Sequence, residues 1–167
     1  MQYENVIFPD SVGFQCKSCG VCCRDEPSDI NLKEQQRIDA KGFVNFLEDP
    51  NDPHNRNIRR KKDGSCFFLT AENTCKIHDV KPTICILAPF IITDYDYKTN
   101  RIFLDLNPLA VINCKGISTG EIKAPEKIGK AAQTIVREFS EMVAKKTGLP
   151  VTDKKVASLT RKLLLSL

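Results

Sequence analysis

The stretch Phe14-Gln15-Cys16-Lys17-Ser18-Cys19-Gly20-Val21-Cys22-Cys23, continuing through Arg24-Asp25-Glu26-Pro27-Ser28, decides how the rest of the chain is read. It packs four thiols into eight positions. Two-residue gaps let successive sulfurs converge on one ion or cluster, because a tight turn between them, eased by Gly20, aims both side chains inward. Four further cysteines, Cys66, Cys75, Cys85 and Cys114, must be returned to this knot by the fold. All eight are candidate metal ligands, and the segments between them read as spacer and scaffold.

The 167 residues suit one domain, long enough to bury a modest core and small enough to gain from a metal staple. Residues 1–124 are expected to form the cysteine-cluster unit and residues 125–167 a helical closure of the same domain. Hydrophobic content of 41% and charged content of 28% are ordinary for a globular protein, whereas eight cysteines are not. The opening residues lack a basic start followed by an apolar run, and no stretch approaches the ~20 apolar residues of a membrane span. A cytoplasmic setting is therefore expected. Thiols stay reduced there, which favours metal binding over a disulfide framework. The formal charge of +4 counts every thiol as neutral. Four thiolates around zinc or a four-iron cluster carry about −2 per site, so bulk charge does not predict a nucleic-acid partner.

Outward from the motif, Val6-Ile7-Phe8, ended by Pro9, reads as an edge strand or a segment lying across the core. Ser28 or Asn31 caps a helix through Leu32, Gln36 and Ile38, and Phe43 to Leu47 make a second short apolar turn. This helix is expected to lie over the metal site. Residues 49–64 form a polar loop whose basic run, Arg59-Arg60-Lys61-Lys62, lacks the interleaved aromatics that nucleic-acid stacking requires. Cys66-Phe67-Phe68-Leu69 and Thr74-Cys75-Lys76-Ile77 read as a hairpin with one cysteine on each arm. Pro82 starts a short helix that delivers Cys85 near N-terminal amides, which stabilise thiolates. A second hairpin joins Phe90–Tyr95 to Arg101–Leu106, and Cys114 lies in a loop bounded by Gly116 and Gly120. Apolar residues at helical spacing predict a long amphipathic helix from Pro125 to Thr147 and a shorter one through Val156, Leu159 and Leu163. The fold class is thus α+β: short hairpins around a metal centre, an N-terminal helix and two C-terminal amphipathic helices.

This order of elements resembles the YkgJ-like cysteine-cluster family, named for a C-x-x-C-x-x-C-C signature and described as a putative zinc- or iron-chelating domain. The resemblance spans roughly residues 14–120. It rests on the opening motif, on Cys66-Phe67-Phe68-Leu69 with Cys75-Lys76-Ile77, on Lys81-Pro82-Thr83-Ile84-Cys85 as an R-P-x-x-C element with lysine for arginine, and on Cys114-Lys115-Gly116-Ile117. Family members often carry arginine directly after the R-P-x-x-C cysteine, where this chain has Ile86, so a role for that arginine does not transfer. His78 stands where relatives carry tyrosine and reads as a surface or hydrogen-bonding residue, although Cys75-x-x-His78 is a permissible zinc spacing. His54 reads as exposed.

Zinc and iron–sulfur clusters both accept four thiolates, so spacing alone leaves both open. One zinc would leave four cysteines unexplained. Adjacent Cys22 and Cys23 serve two centres, bridge a larger cluster, or divide into a ligand and a core thiol. The resemblance extends to a domain of flagellin lysine methylases and implies an iron–sulfur type. The expectation is a 4Fe–4S cluster used for electron transfer or for modifying a partner protein. A zinc-stapled protein-interaction module is the alternative, and a lysine N-methylase-like enzyme follows from family analogy alone. No glycine-rich phosphate loop and no C-x-x-x-C-x-x-C motif occurs, and the scattered carboxylates name no general acid or base.

Overall fold

The computed structural model describes residues 3–25, 28–52 and 56–166; His54 lies outside them. Two short strands, β1 (Val6–Ile7) and β2 (Gly13–Phe14), lead into a one-turn helix, α1 (Cys22–Asp25), and then α2 (Leu32–Asp39). A long irregular stretch ends in a 3-10 turn, His78–Val80, before α3 (Thr83–Leu87), β3 (Phe90–Asp96), β4 (Arg101–Leu106) and α4 (Pro108–Asn113). The chain closes with β5 (Ile117–Ser118), α5 (Pro125–Thr147) and α6 (Lys154–Leu164). The fold is α+β, with small sheets and helices around them.

The first sheet has the order β1-β4-β3. β3 and β4 form the expected antiparallel hairpin, and β1 lies parallel to β4 as an edge strand, with Val6 opposite Ile102. A register shift between Ile92 and Asp94 interrupts the β3–β4 ladder. Strict alternation after Phe90 and Ile92 would drive Asp94 into the core. The irregularity instead lets Tyr95 pack with Phe90 and Ile92, and leaves Asp94 to meet Arg161 on α6 through two bonds of 2.7 and 3.1 Å. The second sheet pairs β2 with β5, Phe14 opposite Ile117, and so ties the start of the cysteine motif to the segment after Cys114.

Among the described residues three apolar clusters form; the smallest packs Val143 and Ala144 of α5 against Val156 of α6, and the other two are larger. One joins Val6, Phe14, Phe90, Ile102 and Leu104 to Leu87 of α3, to Ile128, Ala131, Ala132 and Val136 of α5 and to Leu164 of α6. Helical spacing puts these α5 residues on one face, and burying Ile128 and Val136 alone contributes about 1.5–3 kcal/mol each. The other cluster gathers Ile30, Ile38, Phe46, Leu47, Ile58, Phe68 and Ile77 from α2 and the irregular stretch. Asn31, rather than Ser28, caps α2: its side chain accepts from the Glu34 amide while the Glu34 carboxylate accepts from the Asn31 amide, a reciprocal box.

Several local expectations are corrected. The Cys66–Ile77 hairpin is reduced to one antiparallel bridge, Leu69 to Cys75, because Leu69 N–H bonds back to Cys66 C=O in a turn and Cys66 pairs with Arg60 instead. Residues Phe43 to Leu47 make no helical turn; Leu47 bridges Ile58 in extended pairing, while Val44 is exposed. The basic run is partly pinned: Arg59 stacks 4.9 Å above the Phe67 ring, and Arg60 donates to the carbonyls of Arg24 and Gly64. Cys114 is the C-cap of α4, a helix the sequence reading did not anticipate.

Candidate metal centre

All eight cysteines are free thiols, and all eight line two adjoining cavities. The larger, about 630 Å³, is an open cleft lined by Cys16, Cys19, Cys22, Cys23, Cys75, Cys85 and Cys114. The smaller, about 120 Å³, is walled by Phe68, Ile77, Pro82 and Phe90 and carries Cys22, Cys23, Cys66, Cys75 and Cys85. Its walls come from both larger apolar clusters, so the thiols sit where those two cores meet.

Each thiol arrives by a local device. Gly20, at φ 73°, turns the chain between Cys19 and Cys22 in a conformation that costs a side-chain-bearing residue ~1–2 kcal/mol. Arg24 clamps this turn by donating to the Gly20 carbonyl at 3.2 Å and to Asn73 Oδ1 at 2.7 Å, which joins the motif to the Leu69–Cys75 bridge. The Cys66 amide donates to the Cys23 carbonyl at 2.7 Å, fastening that segment to α1. α3 presents Cys85, and Glu34 of α2 holds the start of α3 by accepting from both the amide and the hydroxyl of Thr83 at 2.6 Å. α2 therefore positions Cys85 from the side. The β2–β5 pairing brings Cys114 near Cys19, and burial first, then Cys19, pushes the Cys114 thiol up.

Electrostatics divide the thiols into two groups. Cys23 is raised far above the ordinary thiol range by a hydrogen bond with Cys22, then by burial and by Cys66 and Cys75. Burial leads the upward shift of Cys66 and Cys75, and each also feels Cys22. Cys85 is pushed up to about 12, by burial first and then by Cys22 and Cys66, against a hydrogen bond from Ser28 and the charge of Lys81. The expected stabilisation of a Cys85 thiolate by helix amides is overridden by that burial. Cys22, Cys23, Cys66, Cys75 and Cys85 thus form one group, and Cys19 with Cys114 another, with Cys16 on the same open cleft.

Among the described residues no three histidine, cysteine, aspartate or glutamate side chains already stand as a set able to hold an ion. The thiols line the two adjoining cavities without closing on a point. The donor set nevertheless fits a soft metal. Five mutually repelling thiols in an apolar-walled cavity are poor as anions by themselves, and a bound cation reverses that penalty. His78 is exposed on the rim of the open cleft, its pKa lowered by Lys81 and by partial burial.

Two contributors escaped the sequence reading. Ser28 Oγ stands 3.1 Å from Cys85 Sγ across 57 residues of sequence, a contact no local pattern announces. Lys81, read as part of a family element, faces Cys75 and Cys85 with a charge that favours their thiolates.

Comparison with known proteins places the chain among cysteine-cluster sequences. The uncharacterized protein MJ0661 of Methanocaldococcus jannaschii is 25% identical over 144 residues, covering 78% of this chain and 72% of that protein. No solved structure matches the chain. Among the described residues no helix is long and apolar enough to cross a membrane. The CxxCxxCC family model, whose description reads "putative zinc- or iron-chelating domain", matches residues 15–105, which hold seven of the eight cysteines and stop short of Cys114. With more than half of its length matched, and its thiols lining two adjoining cavities, this chain belongs to the CxxCxxCC family of that description.

Proposed function

We propose that the chain holds an iron–sulfur cluster of the 4Fe–4S type, on ligands drawn from Cys22, Cys23, Cys66, Cys75 and Cys85, and that it transfers electrons to a partner protein or takes part in modifying one. The observation that carries this reading is the convergence of five thiols from separate segments on one apolar-walled cavity. Zinc and a 4Fe–4S cluster each take four thiolates, so the number of thiols does not separate them; the resemblance to the iron–sulfur type of cysteine-cluster domain favours the cluster. When bound, such a cluster supplies one-electron redox chemistry.

The protein's own residues do the rest. Phe68, Ile77 and Phe90 give the inner cavity apolar walls, which lower the local dielectric beside the thiols. Lys81 offsets negative charge on Cys75 and Cys85. The Ser28 hydroxyl donates to Cys85 once that thiol is ionised, and hydrogen bonds to ligand sulfurs tune a cluster's potential. A cytoplasmic setting, which keeps the thiols reduced, belongs to the same reading.

Protein purified without oxygen is expected to be brown and to contain iron with acid-labile sulfide. A colourless preparation that holds only zinc and cannot be reconstituted with iron and sulfide overturns the cluster and favours the zinc-stapled interaction module. Serine substitution of Cys75 and Cys85 should each lower metal content. Full metal content in both variants would show that the mixed-segment centre does not exist. Because burial and mutual repulsion hold these thiols protonated at neutral pH, loading releases protons, and apparent affinity should rise with pH.

A further inference from the structure

We infer that a basic groove leading away from the cysteine cleft along α5 seats an acidic segment of a partner protein. The groove, about 750 Å³, lies between α2 and α5 and shares Arg37 and Lys127 with the cleft, so the two are continuous. Lys127, Lys130 and Arg137 line it at helical spacing along α5, facing Lys33 and Arg37 at one-turn spacing on α2. Lys33, Lys127 and Lys130 make no ion pair with any described residue.

The two carboxylates on the same surface are already engaged. Glu34 is 4% exposed and accepts from Thr83 and Asn31, and Glu138 accepts from Asn31 Nδ2 at 2.7 Å. Arg37 pairs with Glu34 at 3.7 Å and Arg137 with Glu141 at 3.8 Å, so Lys33, Lys127 and Lys130 carry the groove's unpaired positive charge.

Length and lining decide what fits. From Lys127 to Arg137 the helix rises about 15 Å, the span of roughly five residues of extended chain. Gln36 offers a donor and an acceptor, and the Thr134 hydroxyl an acceptor, to a peptide backbone, and no aromatic side chain lines the groove on which a base could stack. A carboxylate-rich peptide matches this pattern better than single-stranded RNA. Seated there, it would hold the rest of the partner against the open face of the thiols. The groove's cations are not among the proposed metal ligands, so the inference stands or falls apart from the identity of the metal.

The test is fluorescence anisotropy of a labelled peptide of about eight glutamates against the purified, metal-loaded chain. Saturable binding is expected, weakening about tenfold as salt rises from ~50 to ~200 mM. The double variant K127E/K130E, at exposed helix positions, should bind at least about tenfold more weakly, while K154E/K155E, on the first turn of α6 and outside the groove, should change affinity by less than about twofold. Circular dichroism of both variants should match the parent. Equal losses in the two variants, or none in K127E/K130E, would overturn the groove as the site. Tighter binding of an oligouridylate of equal charge would overturn the acidic peptide in favour of RNA.

Discussion

Replacing Gly20 with alanine tests whether the turn between Cys19 and Cys22 is held by geometry that only glycine supplies. Gly20 is buried, at φ 73°, and a Cβ there would stand 2.5 Å from Arg24 Nη1, 3.2 Å from Asn73 Oδ1 and 3.3 Å from Leu69 Cδ1. The left-handed backbone alone costs alanine about 1–2 kcal/mol. Arg24 can swing its guanidinium away, but only by releasing the Gly20 carbonyl and Asn73, bonds from a charged donor worth about 1–2 kcal/mol after discounting their partial exposure. The expected loss is therefore about 2–4 kcal/mol. Gly42 is the internal control: its φ is 84° and nothing lies within 4 Å of a Cβ built on it, so Gly42→Ala should cost the backbone term only, about 1–2 kcal/mol. The entropic effect of alanine on the unfolded chain is common to both and cancels in the comparison. Urea unfolding followed by circular dichroism measures both. If the two variants fall within about 0.5 kcal/mol of each other, the clamp of Arg24 on the motif contributes nothing and the account of the turn is wrong.

Glu34→Ala should cost about 2–4 kcal/mol in the same assay, because it strips buried acceptors from the Thr83 amide and hydroxyl and from the Asn31 amide at once; a loss below about 1 kcal/mol would show that water replaces the carboxylate. Asp94 has its pKa lowered by the hydrogen bonds from Arg161, so its contribution is present above the unfolded carboxylate pKa and is lost as pH falls through the lower folded value. Asp94→Asn should accordingly flatten the acid limb of a melting-temperature profile taken below about pH 4, and an unchanged profile would remove the pair from the stability of the α6–β3 contact. Metal removal by a chelator should speed hydrogen exchange between Cys66 and Ile77 far more than within Pro125–Thr147, whose buried face is held by its own apolar cluster; equal acceleration in both would mean that the metal supports the whole fold.

Local patterns were legible without the structure. The amphipathic spacing of Ile128, Ala131, Ala132, Val136 and Val143 located α5 with the bounds it has, Pro82 located the start of α3, and alternating apolar residues around a polar bend located β3 and β4. In each case the signal and the structure it specifies lie within one element, so propensity and packing agree. The Cys66–Ile77 hairpin failed because its alternation is satisfied by turn hydrogen bonds and by pairing of Cys66 with Arg60, a competitor that lies upstream of the hairpin. α4 escaped notice because five of its six residues, Pro108-Leu109-Ala110-Val111-Ile112, are apolar, with no polar face to reveal a period, and Leu109, Val111 and Ile112 remain exposed.

For the cysteines, sequence alone determined that eight thiols exist, that four sit at ligand spacing and that the chain carries a family motif, since these depend only on residue identity and separation. Which thiols meet was decided by tertiary contacts: Cys66 fastened to Cys23 by a backbone bond, Cys85 set by Glu34 on another helix and touched by Ser28, and Cys114 carried to Cys19 by the β2–β5 pairing. Those contacts close loops of tens of residues, and the free energy that selects one closure over another lies in the packing of two apolar cores rather than in any local run of the chain.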